Sequence, residues 1–141
     1  MTAKEYLQRG RKLSFEIEEL IKARDNAFDI ASNITSAPSK EQVQTTVQNG
    51  TENKIIGYIQ YVEQVEKRIK EIFEYRQGML KLISEVSNTT YRILLIDRYI
   101  NCLSWNDVAI NLSMTERHIL RLHGRALAAA EREYKKRNPC I

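Results

Sequence analysis

Residues 54–87 carry the pattern that most restricts how this chain can fold. Apolar side chains recur there at steps of three and four residues, a period of about 3.5 that is typical of a coiled-coil helix. Such a seam is expected to be buried, because removing one Ile, Val or Leu side chain from water is worth roughly 1.5–3 kcal/mol. The seam consists of Ile55, Tyr58, Val62, Val65, Ile69, Ile72, Met79, Ile83 and Val86, with Arg76 in its one gap.

A second helical pattern covers residues 3–34, where Gly10 and Arg24 interrupt the apolar series. Between the two patterns, residues 35–53 are rich in Thr, Ser, Asn and Gln, which predicts a flexible linker with room for one short helix begun by Ser39. The long helices can fold back on each other or pair between chains, and we expect both, in a homodimer. Arg24 and Arg76 either set the register of this pairing or extend to its edge. The residues expected at the oligomer contact are Ile55, Val62, Val65, Ile69, Ile72, Met79 and Ile83.

The sequence predicts an all-α fold with two domains. Five Gly and two Pro are too few for a chain of many β-turns. Residues 1–88 are expected to form the long-helix region, and residues 89–138 a C-terminal helical domain. Asn88 and Thr89 interrupt the helical pattern, and Thr90 is a candidate N-cap for a helix that ends before Asn101.

Residues 103–127 have the pattern of a helix-turn-helix. Ser104 with Asp107, and Ser113 with Glu116, have the spacing of capping boxes, which places two helix starts nine residues apart. Ser113 also stands where glycine would best tolerate the positive φ of a tight turn. The apolar faces of the two helices are formed by Trp105, Val108, Ala109 and Leu112, and by Ile119, Leu122, Ala126 and Leu127.

The outward face of the second helix is the candidate DNA-reading surface. Arginine can bind guanine O6 and N7 with two hydrogen bonds, and glutamate can accept one from cytosine N4. The alternative is an ordinary solvated helix face. Both histidines are expected on the DNA side, and the residues not needed for the apolar stripe are Thr115, Glu116, Arg117, His118, Leu120, Arg121 and Arg125.

The net charge of +4 lies entirely in the last third of the chain. Residues 1–90 hold 13 Lys plus Arg and 13 Asp plus Glu, whereas residues 91–141 hold 9 and 5. A basic domain beside a neutral one is typical of a protein that contacts phosphate, with binding that weakens as salt rises. The expected phosphate contacts are Arg92, Ser104, Ser113, Lys135 and Lys136.

The remaining residues indicate neither an enzyme nor a metal site. Cys102 and Cys140 lack a metal-binding spacing, and His118 and His123 do not share a helical face. No acid pair, nucleophile triad or glycine-rich phosphate loop is visible, so we expect no catalysis and no cofactor. No apolar run of membrane-spanning length or secretory signal is evident, which predicts a cytoplasmic protein.

The last third of the chain resembles the fourth conserved region of bacterial sigma factors. The resemblance rests on residues 94–100, on Ser104, Trp105 and Ala109, and on residues 115–119 and 125–127. The whole chain is similar to small phage and prophage proteins of Gram-positive bacteria, the sigma-like (ArpU-type) transcription regulators. That similarity rests on the opening Met-Thr-Ala-Lys-Glu-Tyr-Leu and on residues 117–127.

This resemblance implies a tri-helical domain that binds double-stranded DNA, with host RNA polymerase as a second candidate partner. The chain shows no sign of the sigma regions that melt the promoter or hold the main polymerase contact, so a sigma-like regulator fits better than a working sigma factor. The base-reading residues would be Glu116, Arg117, Leu120 and Arg121, of which Glu116 and Leu120 replace the basic residues usual in sigma factors. The expected function is a sequence-specific transcription regulator with an unusual target sequence. Two alternatives are a phage small terminase subunit, which would form a ring, and a coiled-coil protein that contacts polymerase without binding DNA.

Overall fold

The computed structural model describes residues 1–36 and 45–139, and within these ranges the chain is helical without any strand. The predicted all-α fold is therefore confirmed. A π-helical turn, Ile96–Ile100, directly follows α3. The α-helices of the described ranges are α1 (Ala3–Ser36), α2 (Thr45–Ser84), α3 (Thr89–Leu95), α4 (Trp105–Leu112) and α5 (Glu116–Arg137).

The connection between α1 and α2 is shorter than the predicted linker over residues 35–53. α1 continues to Ser36 and α2 begins at Thr45, so residues 45–53 are helical rather than linker. The remaining residues of that prediction, 37–44, lie outside the described residues. Residues 45–53 contain no proline, so every residue can donate its backbone N–H to a helix, and polar composition alone does not end one.

The described chain forms two compact units, Met1–Phe15 with Ile72–Ile141, and Glu16–Glu71. These units group the residues differently from the predicted division after residue 88. In the second unit the two long helices run antiparallel within one chain. Glu16 pairs with Arg68 at 2.9 Å, and Arg24 pairs with Glu66 at 2.8 Å. The α1 residue with the higher residue number therefore pairs with the α2 residue with the lower one, as in an antiparallel pair.

The first unit contains one continuous apolar core. The start of α1 and the end of α2 pack with α3, α4 and α5 around side chains that solvent hardly reaches. This packing holds the C-terminal helices in a fixed arrangement, because interiors are filled to near-crystalline density. The core residues are Ala3, Leu7, Met79, Leu82, Ile83, Val86, Leu94, Leu95, Tyr99, Val108, Ala109, Ile119, Leu122, Ala126 and Ala130.

Most of the seam residues expected at an oligomer contact are buried inside a single chain. Met79 and Ile83 belong to the core of the first unit, and Val65, Ile69 and Ile72 are also buried. Ile55 and Val62 are half-buried. The expectation that these five residues lie at a contact between chains is therefore corrected, because they are already buried within one chain and are not exposed to a partner. Homodimerisation itself stays a prediction.

In the first unit, α1 and α2 approach each other closely at Gly10 and Gly78. A Cβ atom added at Gly10 would overlap Met79 Sδ and lie 3.1 Å from the Tyr75 ring, and one at Gly78 would lie 2.5 Å from the Tyr6 hydroxyl. Tyr75 donates its hydroxyl to Tyr6 O at 2.9 Å across the same contact. Gly10 thus interrupts the apolar series of α1 because Met79 fills the space that a side chain would need.

We expect Gly10→Ala to destabilise the chain by about 1–3 kcal/mol, even though alanine gains up to about 1 kcal/mol over glycine in a helix. The added methyl group must displace Met79, whose side chain is fully buried. Gly57→Ala is the matched control, because a Cβ there meets nothing within 4 Å. That variant should gain about 0.5–1 kcal/mol. Urea unfolding of both variants measures the difference, and equal stability of the two would contradict the close approach.

Candidate nucleic-acid interface

A tight turn joins α4 to α5 in the first unit. Ser104 caps α4 by accepting a hydrogen bond from Asp107 N at 3.2 Å, which confirms the predicted cap. Ser113 is not the N-cap of α5. It ends α4 in the left-handed region at φ 54°, the backbone position for which glycine is best suited. Thr115 caps α5 instead, accepting from His118 N at 3.2 Å, because it directly precedes the first helical residue.

The apolar faces of α4 and α5 pack as the sequence predicts. Val108, Ala109, Ile119, Leu122 and Ala126 are buried. Trp105, Leu112 and Leu127 are half-buried against the same core. All eight residues predicted for these apolar faces therefore belong to the core of the first unit or pack against it.

The structure brings all seven predicted DNA-reading residues to one exposed surface. This reading face, as we call it, begins at the cap of α5 and continues over its first three turns. Leu120 lies within it as an exposed apolar side chain, 48% accessible. The Thr115 hydroxyl also serves as the helix cap, so one of its acceptor positions is used. The reading face consists of Thr115, Glu116, Arg117, His118, Leu120, Arg121 and Arg125.

Basic side chains continue along the same side of α5 beyond the reading face. Arg117 and Lys135 are 18 residues apart, which is five helical turns and about 27 Å, so both lie on one side of the helix. Arg121, Arg125 and Arg132 lie within about a quarter-turn of that line. All five are exposed, and they define the basic stripe of α5.

The acidic residues near the end of α5 are occupied by other groups. Glu131 Oε2 accepts a hydrogen bond from Ala3 N at 2.6 Å, and Glu133 pairs with Lys136 at 3.2 Å. Arg137 forms an ion pair with Glu85. Among the described residues neither Arg132 nor Lys135 forms an ion pair, so the stripe keeps an excess of positive charge.

The five predicted phosphate contacts occupy different places. Lys135 and Lys136 are exposed near the end of α5, and Ser104 and Ser113 are exposed at opposite ends of α4. Arg92 lies in α3, and its guanidinium reaches back to the turn after α2, where it donates to Val86 O at 2.6 Å and Ser87 O at 2.9 Å. These contacts assign Arg92 a structural role, because its donors are used by the backbone carbonyls of the turn.

Asn88 rather than Thr90 begins α3. The Asn88 side chain accepts from Tyr91 N at 3.1 Å, and the helix starts at Thr89. Both residue types can cap a helix, so composition alone did not separate them.

His123 does not lie on the DNA side, contrary to expectation. Its ring is half-buried beside Trp105, and its Nε2 is 2.7 Å from the Tyr99 hydroxyl. Burial, and then the charges of Arg98 and Lys4, lower the pKa of His123 to about 4. The spacing of the two histidines explains why they differ. Five residues correspond to a rotation of about 140° around α5, so His123 cannot share the exposed side of His118.

Both ends of α4 are held by contacts that the sequence did not indicate. Arg98 lies 4.2 Å from the centroid of the Trp105 ring and donates to Leu103 O at 3.0 Å. Asp97 is buried and accepts a 2.6 Å hydrogen bond from Asn111 on α4. Asp97 and Arg98 lie just before the predicted motif in sequence. They belong to a π-helical turn, which side-chain periodicity does not predict.

The described residues contain no cluster of three or more His, Cys, Asp or Glu side chains arranged to hold a metal ion. Cys102 is a free thiol, and Cys140 lies outside the described ranges. Within the same ranges, no helix combines the length and apolar character that crossing a bilayer requires.

The lowered pKa of His123 predicts acid sensitivity. The folded pKa of about 4 lies below the ordinary value of about 6.5, so between these values the unfolded chain binds a proton that the folded chain does not. Stability is therefore complete above about pH 6.5 and falls as the pH drops towards 4. We expect His123→Gln to have a flatter profile than the wild type in urea unfolding across this window.

His118→Gln provides the matched control for that experiment, since the His118 ring is exposed on the same helix. It should retain the wild-type pH profile. If His123→Gln retained it as well, the buried imidazole would not be the source of the acid sensitivity.

Comparison with known proteins places the chain in a family. A family model described as a protein of unknown function (DUF1492) matches residues 34–131, more than half of the chain and including the whole reading face. No curated protein and no solved structure matches the chain significantly. The chain therefore belongs to the DUF1492 family of proteins of unknown function.

Proposed function

We propose that this protein is a sequence-specific DNA-binding transcription regulator in which α4 and α5 act as a helix-turn-helix. The observation that carries the proposal is the reading face itself. Its residues are exposed on one side of a helix whose opposite side is fixed in the core by Ile119, Leu122 and Ala126. A helix held in this way can enter the major groove without the surrounding fold having to rearrange.

The chemistry of the reading face suits base recognition. Arg117 and Arg121 are four residues apart and lie on neighbouring turns of α5, from which each can reach a guanine. Glu116 can accept from cytosine, and the exposed Leu120 can contact a thymine methyl group. A face that mixes both charge signs with an apolar side chain favours selection among sequences over phosphate attraction alone.

The assignment to transcription rests on the resemblance to the fourth region of sigma factors and to sigma-like phage regulators. Glu116 and Leu120 depart from the basic residues of sigma factors, so the target is expected to differ from the usual −35 sequence. If the chain is a homodimer, its site would contain two half-sites separated by whole turns of the DNA. The proposal includes a location in the bacterial cytoplasm and a contact with host RNA polymerase.

We expect the purified chain to bind one DNA fragment from its own genome neighbourhood more tightly than the others. Arg117→Ala with Arg121→Ala should remove that preference, because each bidentate arginine–guanine pair supplies about 1–3 kcal/mol of discrimination. Fluorescence anisotropy across a salt series measures both affinity and preference. Lys22→Ala with Lys54→Ala is the control, since it removes the same charge from exposed residues outside the reading face.

Two outcomes would contradict the proposal. If the chain binds no fragment at low salt, α4 and α5 contact protein, as expected of a polymerase-binding factor. If it binds packaging-site DNA as a ring-sized oligomer, the terminase alternative is correct.

A further inference from the structure

A groove at the far end of α5 has the donor groups of a phosphate site. It lies between the turn that joins α2 to α3 and the last turns of α5, with a volume of about 530 Å³. We call it the C-terminal groove. Its polar lining consists of Ser87, Asn88 and Tyr91 on one side, and Arg132, Glu133, Lys135 and Lys136 on the other.

The turn side of the groove offers uncharged hydrogen-bond donors. Asn88 Oδ1 is occupied by Tyr91 N, which leaves the amide –NH2 group of Asn88 as a donor. Ser87 and Tyr91, which also line the groove, are residues that carry hydroxyl groups. Arg92 holds the backbone of this turn through Val86 O and Ser87 O, so these donors are placed before any ligand arrives.

The helix side of the groove offers uncompensated positive charge. Glu133 also lines the groove but pairs with Lys136 at 3.2 Å, which leaves the charges of Arg132 and Lys135 available. Arginine and lysine combined with Ser, Asn and Tyr side chains form the donor set that proteins use for DNA phosphates.

The C-terminal groove adjoins the basic stripe that begins in the reading face. Lys135 is 14 residues beyond Arg121, or about 21 Å along α5. The major groove is about 12 Å wide, so a helix whose first turns touch base edges carries its last turns out to the sugar-phosphate backbone.

We propose that the C-terminal groove binds a backbone phosphate of the DNA flanking the sequence read by α5. This inference rests on the proposed DNA binding and adds to it a second, sequence-independent contact. The donors of the α2–α3 turn and the cations Arg132 and Lys135 would bind the phosphate together. α5 would thereby contact DNA along most of its length rather than at its first turns alone.

The test combines charge removal with trimming of the DNA. Arg132→Gln with Lys135→Gln is compared with the wild type on the preferred fragment and on the same fragment shortened at either flank. The wild type should bind several-fold more weakly once the flank that it contacts is removed, whereas the affinity of the variant should change little. The variant should also show a salt dependence of log K that is shallower by about 1 for each phosphate that it no longer binds.

Lys12→Gln with Lys67→Gln is the matched control, because it removes the same charge from exposed residues that do not line the groove. Circular dichroism and thermal unfolding establish that both double variants fold. The control should keep the wild-type response to trimming and to salt. A control that responds like Arg132→Gln with Lys135→Gln would overturn the groove as a specific site.

The remaining outcomes separate failure of the groove from failure of the proposed function. If Arg132→Gln with Lys135→Gln binds the preferred fragment with unchanged salt and flank dependence, the groove does not bind DNA and fits an acidic protein instead, while the reading face stands. If neither wild type nor variants bind DNA, the proposed function fails and this inference fails with it.

Discussion

Burial of one apolar cluster in the first compact unit fixes the position of α5, and the reading face depends on that position. Ile119, Leu122, Ala126 and Ala130 recur along α5 at steps of three and four and face the core. Removing such side chains from water is worth roughly 1.5–3 kcal/mol each for the larger ones, far more than a single exposed ion pair contributes. The charged side of α5 is therefore turned to solvent as a consequence of burying the other.

The same cluster explains why the start of α1 and the end of α2 belong with the C-terminal helices. Ala3 and Leu7 are fully buried in it, and the close approach at Gly10 and Gly78 brings α1 and α2 together. A short tri-helical domain has little apolar surface to bury alone, because the buried fraction falls as a domain becomes smaller. The ends of the long helices extend its core. On the exposed side of α5 the cations then form a stripe, in which neither Arg132 nor Lys135 has an ion-pair partner among the described residues.

The sequence determined that the long and C-terminal segments are helical, which of their residues face the core and which residues of α5 are exposed, because these features follow from local periodicities of 3.5 and 3.6 residues. It also located the cap at Ser104. It did not determine where α2 begins, because residues 45–53 are mostly polar and yet helical. It did not determine which of two nearby capping residues begins a helix, as Ser113 and Thr115 show, because the choice depends on the left-handed backbone of the turn.

Only the tertiary structure decided the roles of Arg92 and His123 and the partners of the α2 seam. Arg92 binds carbonyls at a helix end, and His123 packs against Tyr99 and Trp105. Such roles depend on groups that are distant in sequence and that folding brings close together. Residue type and local spacing do not specify which groups these are. The same reason applies to the seam, since whether Met79 faces its own chain or a partner is determined by what else is near enough to cover it.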